Sequence, residues 1–136
     1  MGTESLKYPL SESAAETLFA ASGRRLADIT TEAARASDLK MEDVQISADT
    51  LRAQAEVALQ AGYPQLASNF IRAAELTAVP NAEVLRMYNT LRPGRATYVE
   101  LVALADSLEM QYHAPECARM VREAAAVYKT RDLLQK

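Results

Sequence analysis

The sequence predicts a mainly α-helical protein, a small helical bundle that follows an extended N-terminal arm, with room for one short β-hairpin. Three observations carry this. From Ser47 onward apolar residues recur every three or four positions, Ser, Thr or Pro stands where each run begins, and Gly or Pro closes most of them. The 49% hydrophobic fraction is rich in alanine, with two Phe and no Trp, which makes strong helices and a thin core. A length of 136 residues matches one domain. Within it, residues 1–46 read as arm, possible-hairpin region and short helix, and residues 47–136 as the bundle.

Along the arm, Tyr8 precedes Pro9, and the proline ring disfavours a helical Tyr8, so the chain is expected to stay extended to about Glu12. In "TLFAASGRRLADI", Thr17 to Ile29, two short apolar patches flank Ser22-Gly23. A hairpin turning at Gly23 is preferred there, with a helix ending at Gly23 as the competing reading. Thr30 or Thr31 can cap a short helix that ends near Ser37, and Leu39 to Ile46 reads as an irregular link containing one turn.

Ser47 then caps a helix in which Leu51, Ala55, Ala58 and Leu59 share a face and which Gly62 stops. Pro64 suits the first position of the next, with Leu66, Phe70, Ala73, Ala74 and Thr77 at helical spacing. A third starts at Pro80 or Asn81 and is expected to turn Val84, Leu85, Tyr88 and Leu91 inward before Pro93-Gly94. Thr97 and Glu100 have capping-box spacing ahead of Leu101, Leu104, Ala105, Leu108 and Tyr112. Pro115 can open the last helix, with Ala118, Val121, Ala125 and Tyr128 on one side. Links this short make sequential helices antiparallel neighbours.

A net charge of −3 and a pI near 5.2 give no electrostatic footprint for nucleic acid. The single cysteine, Cys117, forms no intramolecular disulfide, which fits a reducing cytoplasm. No apolar run is long enough for a membrane span. Alanine contributes little area per residue, so a partner surface is expected to complete the apolar burial.

Few residues suggest chemistry. His113 and Cys117 are four apart, but Pro115 places a helix boundary between them and no third group orients the pair, so a core thiol and a surface or capping histidine are the expectation. Arg72 with Glu75 and Arg119 with Glu123 read as solvated surface pairs. No metal cage, phosphate loop or nucleophile elbow is present. Arg92 and Arg95 flank Pro93-Gly94; they could grip a carboxylate or phosphate, or simply complement a helix C-terminus. The structural reading leads.

Longer strings carry more. "YPL" at Tyr8 to Leu10, "LADIT" at Leu26 to Thr30, "ISADTLRAQAEVA", "NFIRAAELTAVPNAEVLRMYNTLRPGRAT", "ELVALADSLE" and "CARMVREAAAVY" stand in an order and spacing that resembles the small subunit of adenosylcobalamin-dependent diol and glycerol dehydratases. The resemblance runs from Tyr8 almost to the C-terminus, and its central segment is long and specific. Gly94 departs from it, because members often carry an aromatic residue there, so any contact made by that ring does not transfer.

The resemblance implies a complex of large, medium and small subunits, two copies of each, that turns 1,2-propanediol, glycerol or ethane-1,2-diol into aldehydes by radical chemistry. It implies that substrate and metal lie in the large subunit, that adenosylcobalamin lies between the large and medium subunits, and that the small subunit binds no cofactor and supplies no catalytic residue. Some members carry a long N-terminal extension tied to bacterial microcompartments; only seven residues precede Tyr8, so encapsulation through this chain is not expected. The expectation is a cytoplasmic scaffold subunit, with Tyr8, Tyr88, Asn89, Arg92 and Arg95 meeting a partner, since aromatic residues and Arg are enriched in interface hot spots. A free-standing helical adaptor is the alternative.

Overall fold

The computed structural model describes residues 6–136. The chain divides into two compact units, Met1–Ala74 and Glu75–Lys136. As the alanine-rich periodicity predicts, the described residues are mainly helical and contain no strand.

In the first unit the Tyr8–Pro9 peptide is cis, and Pro9 occupies the N-cap of α1, Leu10–Ser13. The arm expected to be extended to Glu12 is therefore helical from Leu10. Two amides close the turn on the Pro9 carbonyl, from Glu12 at 3.1 Å and Ser13 at 3.2 Å, and burial favours it because Leu10 packs with Ala14 and Ala53. The stretch of the arm before Leu6 lies outside the described residues.

The expected hairpin shrinks to one antiparallel bridge, Phe19 with Arg25. Around it the Ala20 amide donates to the Arg24 carbonyl at 2.8 Å, and the Leu26 amide to the Leu18 carbonyl at 2.9 Å. Gly23 takes φ +85 at the tip, and no helix runs into it, since none lies between Leu10–Ser13 and Leu26–Asp28, so the competing helix end is not found either. No ladder extends because both flanks turn away. Thr17 and Leu18 still bond back to Ala14, and Leu26–Asp28 enter a 3-10 turn.

This turn is tied to α3, Met41–Val44, by Asp43, which is only 5% exposed. The Lys40 amide donates to Asp43 at 2.8 Å, the Ser22 hydroxyl donates to its other oxygen, and Arg24 Nε lies 3.4 Å away. The Lys40 amide first, and Ser22 second, hold the Asp43 carboxyl below its usual range. Arg24 also forks onto Asp38, donating to its carboxylate and its carbonyl, each at 2.9 Å.

Thr30 caps α2, Thr31–Arg35, by accepting from the Ala33 amide, and Ser47 caps α4, Ala48–Gln60, in the same way from Thr50. Alanines make the contact between α4 and α5, Pro64–Leu76: Ala55, Ala58 and Ala67 are buried, with Phe70 and Ile71 packed against them. Leu59, read on one face with Ala55 and Ala58, and Leu66, read at helical spacing with Phe70, are exposed. Small side chains let two helices approach closely, and that leaves bulky neighbours beside the contact line outside it.

The last residues of α5, Glu75 and Leu76, belong to the second unit with α6, Asn81–Thr90, α7, Tyr98–Met110, and α8, Pro115–Thr130. The core here gathers Val79, Met87, Leu104, Leu108, Cys117 and Val121. Leu101 and Val121 are its largest fully buried side chains. Thr97 and Glu100 form the predicted capping box: the Thr97 amide donates to the Glu100 carboxylate at 2.7 Å and holds it below its usual pKa range.

Glu75 is not the solvated half of a surface pair. It is 9% exposed, and its two carboxylate oxygens accept from the Glu116 amide at 3.0 Å and the Cys117 amide at 2.8 Å. Pro115 has no amide to donate, so this one carboxylate satisfies the next two donors of α8. Its negative charge also meets the positive end of the helix dipole. No helix among the described residues is long and apolar enough to cross a membrane.

Glu75→Ala should destabilise the protein by roughly 1–3 kcal/mol, read by urea denaturation, because one buried and one part-buried amide lose their acceptor. Asp43 supports a pH prediction. Its folded-state pKa lies below the unfolded value of about 4, so its contribution is complete above that pH and is lost as pH falls through the folded value. The melting-temperature gap between wild type and Asp43→Asn should therefore narrow between about pH 5 and pH 2; a gap that stays constant would contradict it.

Candidate subunit interface

Helix α6 buries Met87 and half-buries Val84 and Leu91. Leu85 and Tyr88, expected inward with Val84 and Leu91, instead stand 64% and 68% exposed. The reason is angular. Positions 84, 87 and 91 form one stripe at helical spacing, and 85, 88, 89 and 92 form the adjacent one. One stripe meets the core, so the other cannot.

Tyr88, Asn89 and Arg92 thus share the outward face, with Leu85 a turn earlier. Arg95 follows in the loop that ends the helix. That loop is rigidly braced. The Arg92 amide donates to the Asn89 carbonyl at 3.3 Å, and the Arg95 amide to the Arg92 carbonyl at 3.2 Å. Gly94 has φ +77, and a Cβ there would meet no atom within 4 Å, so backbone conformation, not space, selects glycine. Beneath the loop, Ala96 is buried with Leu101 and Ala125, and Leu91, Tyr128 and Leu134 pack against them. The Tyr128 hydroxyl donates to the Leu91 carbonyl, satisfying the helix end.

The two arginines differ from most of their kind in this chain. Arg24, Arg25, Arg52, Arg86, Arg119 and Arg122 are all ion-paired. The side chains of Arg92 and Arg95 have no hydrogen bond or ion pair to any described residue. Exposed guanidinium forks beside an exposed Tyr and Leu compose a surface suited to a carboxylate-bearing protein partner. Tyr8 is 86% exposed in the first unit.

Other concavities are modest. One groove of about 310 Å³ in the first unit is lined by Leu18, Phe19, Ile29, Val44, Ile46 and Leu51, among others. A cleft of about 330 Å³ between α6 and α7 is lined by Arg86, Thr90, Glu100, Ala103, Leu104 and Ser107. His113 and Cys117 are separated by the start of α8. His113 has φ +52 and is exposed, while Cys117 is buried in the first turn. Among the described residues no group of three His, Cys, Asp or Glu is placed to hold a metal ion.

Residues 3–135 match the family model described as dehydratase small subunit. The chain belongs to the dehydratase small-subunit family. Over 128 residues it is 48% identical to the propanediol dehydratase small subunit of Citrobacter freundii, covering 94% of this chain and 74% of the relative. The propanediol dehydratase small subunit of Salmonella typhimurium is 46% identical over the same share of each chain. For this dehydratase small subunit the match spans both compact units, so the outward stripe of α6 and the braced loop lie inside the family region.

Sequence reasoning missed Leu85 as a surface residue because it judged each apolar position of α6 alone. Counting the whole stripe, with Arg92 at its end, would have signalled exposure. Tyr128→Phe should cost about 1 kcal/mol in chemical denaturation while leaving the helical signal unchanged, since it removes only the bond to the Leu91 carbonyl.

Proposed function

We propose that this chain is the non-catalytic small subunit of an adenosylcobalamin-dependent diol dehydratase complex that converts 1,2-diols or glycerol to aldehydes, and that its task is assembly and stabilisation. The observation that carries this reading is the identity of 46% and 48% to two propanediol dehydratase small subunits across 94% of the chain. The partners are the large and medium subunits, two copies of each with two of this chain, in the cytoplasm. Tyr8, Tyr88, Asn89, Arg92 and Arg95 are the contacts this chain offers them.

Adenosylcobalamin supplies the radical that starts dehydration when bound, and other subunits hold it. This chain's own residues act through packing. Ordering Tyr88 and Arg92 against a partner would add buried area to an alanine-rich core and pair guanidinium groups that have no partner among the described residues.

The test is coexpression with the large and medium subunits, followed by size exclusion and a coenzyme-dependent aldehyde assay. The three subunits should co-elute, and activity should fall when this chain is omitted; separate elution with unchanged activity would overturn the reading. Arg92→Ala with Arg95→Ala should lower the co-eluting fraction about tenfold, equivalent to one hot-spot contact, with the helicity of the purified variant unaltered. A variant that loses helicity first would assign the arginines to the fold and not to the interface.

A further inference from the structure

The braced loop of α6 is flanked by the C-terminal tail in a defined register. The Gly94 amide donates to the Leu133 carbonyl at 2.7 Å, and the Gln135 amide donates to the Ala96 carbonyl at 2.8 Å. Leu134, between those two tail residues, packs on the cluster of Ala96, Leu101 and Ala125. Tyr128 holds both pieces, since its carbonyl accepts from the Leu133 amide at 2.9 Å while its hydroxyl donates to the Leu91 carbonyl. The tail therefore fixes the backbone from which Arg92 and Arg95 project.

It also adds charge. Arg131 closes α8 and Lys136 follows, and like Arg92 and Arg95 the Arg131 side chain has no hydrogen bond or ion pair to a described residue. Asp132 lies 3.5 Å from Lys136, and Glu100 is committed to the Thr97 amide. A chain whose net charge is −3 thus carries three guanidinium groups, without a partner among the described residues, on two segments joined by backbone bonds.

We propose that residues 131–136 are a latch which, with the Leu91–Ala96 loop, forms a docking edge for a carboxylate-rich surface on another subunit of the complex. This rests on the reading of the chain as a dehydratase subunit. The chemistry favours a protein carboxylate surface because guanidinium forks bind carboxylates bidentately, and the adjoining Leu85 and Tyr88 supply the apolar seat that a small anion would not use. Preorganisation is the latch's contribution: a loop already held by backbone bonds loses less conformational freedom on docking. Exposed charge pairs also make the association salt-dependent.

The complex coexpressed with the wild-type chain is compared with complexes carrying a deletion of residues 132–136, the substitution Leu134→Ala, or the triple substitution Arg92→Glu, Arg95→Glu and Arg131→Glu. Co-elution is measured at low salt and at roughly 0.5 M salt, where screening shortens to a few ångströms, and circular dichroism reports the helices. The deletion and the triple variant should each lower the co-eluting fraction about tenfold at low salt, Leu134→Ala should lower it less, and high salt should weaken the wild type while barely changing the triple variant. Wild-type co-elution by the triple variant overturns the inference and leaves the subunit reading standing. If the deletion also costs helicity, the triple variant with its tail intact decides. If the wild-type chain does not co-elute, the subunit reading falls and this inference with it.

Discussion

The carboxylate of Glu75 is the constraint on which the second unit depends. A helix that begins with proline has one fewer amide to satisfy, but the next two still need acceptors, and Glu75 meets both from the end of α5. Buried carboxylates are costly unless fully bonded, so the arrangement persists only while α8 starts at Pro115. That starting point sets where Ala118, Val121 and Ala125 fall along α8, and so which residues face Leu104, Leu108 and Leu101 in the core clusters. It also fixes the end of the helix, where Tyr128 and Leu133 meet the loop carrying Arg92 and Arg95.

The cores are built to match. Among the described residues most buried positions are alanine, and Leu101 and Val121 are the largest fully enclosed side chains. Area burial per residue is accordingly low, and cohesion comes from close approach of backbones and dispersion between them. The consequence is an apolar surplus. Leu59 and Leu66 remain at the surface because alanines occupy the contact line there, Leu85 and Tyr88 because the stripe of Val84, Met87 and Leu91 meets the core, and a monomer gains nothing by exposing them. Membership of the dehydratase small-subunit family supplies a reason for such a surface, since a subunit is completed by its neighbours.

Electrostatics divide the same way. Most arginines sit within bonding distance of an acid three or four residues off or on a facing segment, as Arg86 does with Glu83 and Arg122 with Asp106. These exposed pairs contribute little to stability and make poor docking groups, because their charge is already met. Arg92, Arg95 and Arg131 have no side-chain partner among the described residues, and they stand on two chain segments joined by backbone bonds. In the first unit the comparable device, Asp43 between Ser22, Lys40 and Arg24, works inward and pins a turn that has only one bridge of its own.

From Ser47 onward the sequence by itself determined the helices and their ends. Ser47, Pro64, Pro115, the Thr97–Glu100 pair and the stops at Gly62 and Pro93-Gly94 act within one turn of chain, and local hydrogen-bonding and φ preferences dominate at that range. The strings around Asn69 to Thr97 were also enough to place the chain in its family. Only the tertiary structure decided which faces turn inward and what Glu75, Asp43 and the tail do. Leu85 and Met87 are equally plausible core residues on a helical wheel, and Glu75 with Arg72 reads as an ordinary surface pair, until residues about forty positions away are brought alongside. Pairings of that span depend on how whole helices pack, which local chemistry does not encode.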